Sequence, residues 1–378
     1  MALKEAELAT GDGHIGDTEQ MSLILDERAR KHAKIEDAIK ECDVVRLRAM
    51  ACDDGGFLND ELRRQAWPIL LGIEQTSVLK ESTEDEIKSH TSYEQVVLDV
   101  NRSIKRFPPS IPTESRLNLQ DKLVKVIMRV LVANPQLHYY QGYHDICVTI
   151  LLVVNGDENL AFQIIEKVSR VKLRVYMEAS MKATAEQLEF VCILVDTQDP
   201  ELGKFLELSQ CGIMFCVPWC ITWFGHDLDH YPSLVRLYDL FLAIEDDPHL
   251  MPVYLTASLV LSHSKMLQLE ECSMASVHSY LSKVPSTINF ENDELEKHVT
   301  FARKLAAYFP VNELRAIQAK NQARAELEQQ WRESLLGMTF SQLRSMSWNK
   351  RVFGAVIIVT VAIAYQVYRK RSLPTSER

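Results

Sequence analysis

The chain has 378 residues, 47% of them hydrophobic, enough to bury one large core or two average ones, and its formal net charge is −10. That balance argues against a nucleic-acid binder, which needs basic surface to neutralise many phosphates. With 13 glycines, 13 prolines and long apolar stretches of helical rather than alternating period, the composition points to an all-α protein of many helices.

Residues 1–20 hold Gly11, Gly13 and Gly16 among polar residues without a periodic apolar face, and read as a disordered tail. From Ser22 the chain carries enough Leu, Ile, Ala, Glu and Arg for one or two helices with charges outward. Gly55-Gly56 breaks that run, and Asn59 or Asp60 then offers a cap to a helix bearing Arg63, Arg64 and Trp67. Spacing alone puts both arginines on a solvated helix face, with a phosphate or partner contact as the alternative, and Trp67 in the core. Residues 81–86 form an acidic surface loop.

Val96, Val97 and Val100 then alternate with Asp99 and Arg102 at helical spacing until Pro108-Pro109 forbids the helix to continue. Asp99 and Arg102 stand three residues apart on one face, where the carboxylate can steady the guanidinium and leave donors of its fork over. Residues 110–116 read as a loop. A strongly apolar helix over 123–132 stops at Asn134-Pro135, a turn-initiating pair, and a further helix follows a short corner. Gln141 sits at the entrance to that helix beside Gly142, which permits close approach of a backbone or partner.

Residues 173–176 and 188–195 add helical segments, and another begins at 205–208. The eight cysteines lie mostly in apolar contexts with no signal peptide ahead of them, which is the pattern of reduced cytosolic thiols. Cys211, Cys216 and Cys220 are irregularly spaced among core-like neighbours, so zinc is disfavoured. His226, Asp227, Asp229, His230 and Asp239 form a tempting divalent-metal or acid–base constellation, and His144-Asp145 a smaller one. Neither has a nucleophile motif beside it, and a polar corner between helices is the preferred reading. The apolar run over 250–261 reads as a buried core helix, while 293–308 and 311–336 are charge-rich helical patterns, the latter a stalk.

Residues 352–368 are different: seventeen residues without formal charge, flanked by Lys350-Arg351 and by Arg369-Lys370-Arg371. A single-span transmembrane helix is expected there, reaching about 26 Å at ~1.5 Å per residue against about 27 Å for the endoplasmic-reticulum bilayer. A span so near the end of the chain implies a tail anchor with the large N-terminal portion in the cytosol.

Two signatures give these elements a meaning. Val96, Asp99 and Arg102 at their fixed steps, and Tyr139, Gln141 and Gly142 in a Tyr-x-Gln-Gly pattern, resemble the paired motifs of the TBC domain, the catalytic module of GTPase-activating proteins for Rab GTPases. LRRQAWPILLGI upstream and TWFGHDLDHYPSLVRLYDLF downstream are similar to framework segments of the same family, so the resemblance runs from about residue 57 to 246. Two departures stand out. The first motif usually continues Arg-Thr-x-Pro where this chain has Arg102-Ser103-Ile104-Lys105, and the second usually ends Gly-Met where it has Gly142-Tyr143.

The resemblance implies that Arg102 enters the active site of a GTP-bound Rab and stabilises the transferring phosphoryl group, while Gln141 orients the attacking water. Asp99, Tyr139 and Gly142 would support them. Magnesium and GTP would arrive with the Rab, since the chain has no Walker A loop and implies no cofactor of its own. The organisation expected is a tail (1–20), a helical TBC domain with flanking helices (21–310), a stalk (311–351), the transmembrane helix (352–368) and a short basic tail (369–378). Location in the endoplasmic reticulum membrane, with the early Golgi adjoining, would favour Rabs of the step between those organelles. The rival reading is a membrane-anchored adaptor that binds a Rab without accelerating hydrolysis.

Overall fold

The computed structural model describes residues 13–74, 82–102, 112–288 and 294–337. The expected transmembrane segment, the basic tail after it and residues 338–351 of the expected stalk lie outside the described residues. Among the described residues there are only helices and no strand, and no helix is long and apolar enough to cross a membrane.

The helices run in chain order as α1 (Gly13–Lys40), α2 (Val44–Cys52), α3 (Asp60–Leu70), α4 (Glu84–Ser89), α5 (Tyr93–Arg102), α6 (Thr113–Ala133), α7 (Tyr143–Val153), α8 (Glu158–Val171) and α9 (Lys182–Gln198). They continue as α10 (Pro200–Ser209), α11 (Val217–Ile221), α12 (Tyr231–Ala243), α13 (Met251–Ser262), α14 (Ser264–Leu267), α15 (Met274–Leu281), α16 (Val284–Thr287), α17 (Glu294–Tyr308) and α18 (Val311–Gly337). Local chemistry sets many of the starts: the Asn59 amide oxygen accepts the Leu62 N–H, and Thr83 and Glu86 form a reciprocal capping box for α4.

Four differences from the sequence reading are local. Helix α4 begins at Glu84, inside the stretch read as an acidic loop, because Thr83 and Glu86 cap it. Helix α1 begins at Gly13, inside the stretch read as a tail. Helix α6 begins at Thr113, inside the stretch read as a loop, because Pro112 takes the N-cap and cannot extend a helix backwards. Residues 173–176 are turns rather than helix.

The chain divides into two units, Met1–Gln318 and Ala319–Arg378. In the first, α13 is apolar on every side and buried from Met251 to Val260, packed against α9 and α17. Helix α12 is buried from Ser233 to Ala243 and carries a charge inward, Asp239, which has no exposed surface. Arg63 Nε and Nη2 donate to the Asp239 carboxylate at 3.0–3.1 Å, Trp67 Nε1 at 2.8 Å and the Phe57 N–H at 3.0 Å. Arg63 is therefore 4% exposed, which corrects its reading as a solvated residue: a partner 176 positions away makes its burial tolerable. Gly56 is required beside it, because a Cβ there would lie 2.3 Å from Asp239 Oδ2. In the second unit the described residues continue α18 as a polar helix with an Arg324–Glu328 ion pair at i,i+4.

Candidate functional site

Helix α5 sorts its two charged residues to opposite fates. Val96, Asp99 and Val100 face inward and Asp99 is 1% exposed, while the Arg102 side chain, one turn on, is 70% exposed. Burying a carboxylate requires donors. Gln95 Nε2 donates to Asp99 Oδ1 at 2.9 Å, and the Tyr139 hydroxyl to Oδ2 at 2.9 Å. Arg102 Nη1 stands 3.8 Å from Asp99 Oδ1, close enough to be steered but beyond a hydrogen bond, so this contact leaves the guanidinium's donors outward. Burial, reinforced by the Asp99 charge, pushes the Tyr139 phenol far above its ordinary range and keeps it a donor.

Gln141 is exposed at the corner before α7, and Gly142 is the N-cap with φ +103°. That left-handed conformation turns the chain into α7 at a place where a Cβ would lie 2.7 Å from Thr222 Cγ2. The corner is pinned to the same stretch by the Tyr140 hydroxyl, which donates to the Ile221 carbonyl at 2.7 Å. Tyr143 points into the core, its hydroxyl 2.6 Å from Ser169 Oγ. A tyrosine is accommodated after Gly142 because α8 supplies that partner.

Asp99, Arg102, Gln141 and Gly142 line one open cleft of about 460 Å³. The stretch after α11, with Thr222 and His226, lines the same cleft, as does Asp145, whose Oδ2 is 3.5 Å from His226 Nδ1. In the sequence reading Thr222 appears only within a framework segment, and His226 there and as a metal or acid–base candidate. The signal lay in the TWFGHD segment, but nothing local says that it lines the same cleft as Arg102.

Asp239 belongs to the buried cluster with Arg63, His230 Nδ1 pairs with Ser233 Oγ at 2.7 Å, and no group of three metal-capable side chains is present among the described residues. Cys211, Cys216 and Cys220 are buried free thiols, each pushed up by desolvation.

Sequence comparison gives this all-helical domain its class: the Rab-GTPase-TBC domain profile matches residues 60–268. The chain belongs to the Rab-GTPase-TBC domain family of Rab GTPase-activating proteins. In particular it is similar to TBC1 domain family member 20 of Homo sapiens, with 40% identity over 326 residues covering 86% of this chain and 76% of that protein. GTPase-activating protein gyp10 of Schizosaccharomyces pombe is 30% identical over 264 residues, 68% of each chain. Among solved structures, the Ypt/Rab-GAP domain of Gyp1p shares the fold with a TM-score of 0.58 at 13% identity, covering 74% of this chain and 99% of that one.

Proposed function

We propose that this chain accelerates GTP hydrolysis by a Rab-family GTPase, with Arg102 and Gln141 supplied in trans. The observation that carries the reading is the pairing of an outward guanidinium, steered by a buried and otherwise satisfied Asp99, with an exposed amide on the same cleft. Arg102 would stabilise charge developing on the transferring phosphoryl group, a contribution worth ~10³ to 10⁵ in rate for a trans-acting arginine. Gln141 would position the attacking water. Asp99, Tyr139 and Gly142 hold these two in place, and magnesium and GTP come with the Rab. The name of the fission-yeast relative supports an activator.

The membrane part of the reading rests on sequence: residues 352–368 serve as a tail anchor in the endoplasmic reticulum, with the helical domain cytosolic and Rabs of the endoplasmic-reticulum-to-Golgi step as substrates. The test is single-turnover hydrolysis across purified GTP-loaded Rabs. Arg102→Ala and Arg102→Lys are expected to lose most of the stimulated rate while remaining folded and able to bind, because lysine cannot present the planar fork. Gln141→Ala should impair hydrolysis more than association. Folded Arg102 variants that retain full stimulation would remove the arginine assignment. Rab binding by the unmodified chain without stimulated hydrolysis would leave the adaptor reading.

A further inference from the structure

Away from the cleft, α6 and the start of α8 enclose a second cavity of about 330 Å³, lined by Lys122, Lys125, Arg129, Gly156, Glu158 and Asn159 among others. Arg129 is 4% exposed, its guanidinium carbon 4.5 Å from the centroid of the Phe162 ring. Nη1 donates to the neutral amide oxygen of Asn159 at 3.2 Å, while Nε and Nη2 are buried with no hydrogen-bond partner among the described residues. A guanidinium does not shed its charge in a protein, and a buried charge left short of acceptors is costly. Arg63 shows the contrast within this same molecule, with its fork filled by Asp239.

The cations around Arg129 are held loosely. Lys122 Nζ donates to the Gly156 carbonyl at 2.9 Å, and Lys125 Nζ pairs with Glu158 Oε2 at 2.8 Å on a side chain still 58% exposed. The other nearby carboxylate, Asp157, is turned to backbone, accepting the Asn159 and Leu160 N–H groups at 3.0 Å. Three cations therefore share a small polar cavity in which, among the described residues, Glu158 is the carboxylate paired with one of them, with Glu84 acting on Lys125 from nearby.

We propose that this cavity is a binding site for a phosphate group carried on a small ligand or a lipid headgroup, separate from the Rab cleft. The guanidinium donates to the tetrahedral oxyanion, Lys122 and Lys125 add point charges at its rim, and Lys125 exchanges Glu158 for the ligand.

The full chain in detergent, titrated calorimetrically with inorganic phosphate and with pyrophosphate, should bind pyrophosphate saturably and more weakly as salt rises. Lys122→Ala with Lys125→Ala should weaken binding about tenfold or more, and Glu158→Gln should strengthen it. Arg129→Lys should weaken it too; if that variant unfolds, the lysine pair and Glu158→Gln still decide. A parallel arm compares recovery on phosphatidylcholine vesicles with and without phosphatidic acid. Recovery gained with phosphatidic acid and lost in the double lysine variant assigns the site to a lipid headgroup, and pyrophosphate binding without that gain assigns it to a soluble phosphate. Absence of binding to all these probes, or binding that the lysine and Glu158 variants leave unchanged, overturns the proposal.

Discussion

Asp99 has both carboxylate oxygens met by neutral donors, so the guanidinium 3.8 Å away is steered without being locked. Tyr139→Phe tests that arrangement. It deletes one hydrogen bond to a buried carboxylate and is expected to cost about 1–3 kcal/mol in denaturant unfolding. Stimulated hydrolysis should fall as Arg102 gains freedom, while Rab binding is kept; an unchanged single-turnover rate would show that the support is dispensable. The Tyr139 pKa is raised on folding, so its contribution is fully present below the ordinary tyrosine value of about 10 and is lost as pH rises beyond it. Arg102 and Gln141 were legible as side chains presented by helix geometry. Arg63 was not, since a solvated and a buried arginine share the same local spacing and its acceptor lies 176 positions away.

Among the elements, the corner into α7 is the most demanding. Gly142→Ala combines a left-handed φ of +103° with a 2.7 Å approach to Thr222 Cγ2, and is expected to destabilise by about 1–3 kcal/mol and to shift Gln141. Thermal unfolding and single-turnover hydrolysis check both halves, and full activity in the variant would mean that the corner does not set the amide. Helices with a one-sided apolar pattern, such as α5 and α17, and the continuously apolar α13 were readable from their own residues. The early starts of α1 and α6 were not, because those stretches lack the apolar stripe that marks a helix.

For the whole molecule, the Asp239 cluster joins α3 and the residues before it to α12, and Arg236 beside it reaches Glu296 of α17 at 2.6–2.9 Å. Asp239→Ala leaves the buried Arg63 charge with Asp60 alone, on Nη1, and strips Nε and Nη2 of their carboxylate. The expected loss is about 3–5 kcal/mol, read from the urea midpoint, and a loss below about 1 kcal/mol would mean that water replaces the pair. Removal of residues 352–378 should release the protein from membranes under alkaline extraction and leave the hydrolysis rate intact. A truncated chain still integral to membranes would place the anchor elsewhere.

Helical class, the paired motifs and family membership could be read without coordinates, because periodicity, capping and motif spacing act over a few residues at a time. Only the tertiary structure decided that Asp99 is buried, that Thr222 and His226 line the same cleft as Arg102, and that Asp239 meets Arg63 in the core. Those outcomes depend on which distant donors reach each charge once it leaves water, and sequence separation carries no record of that.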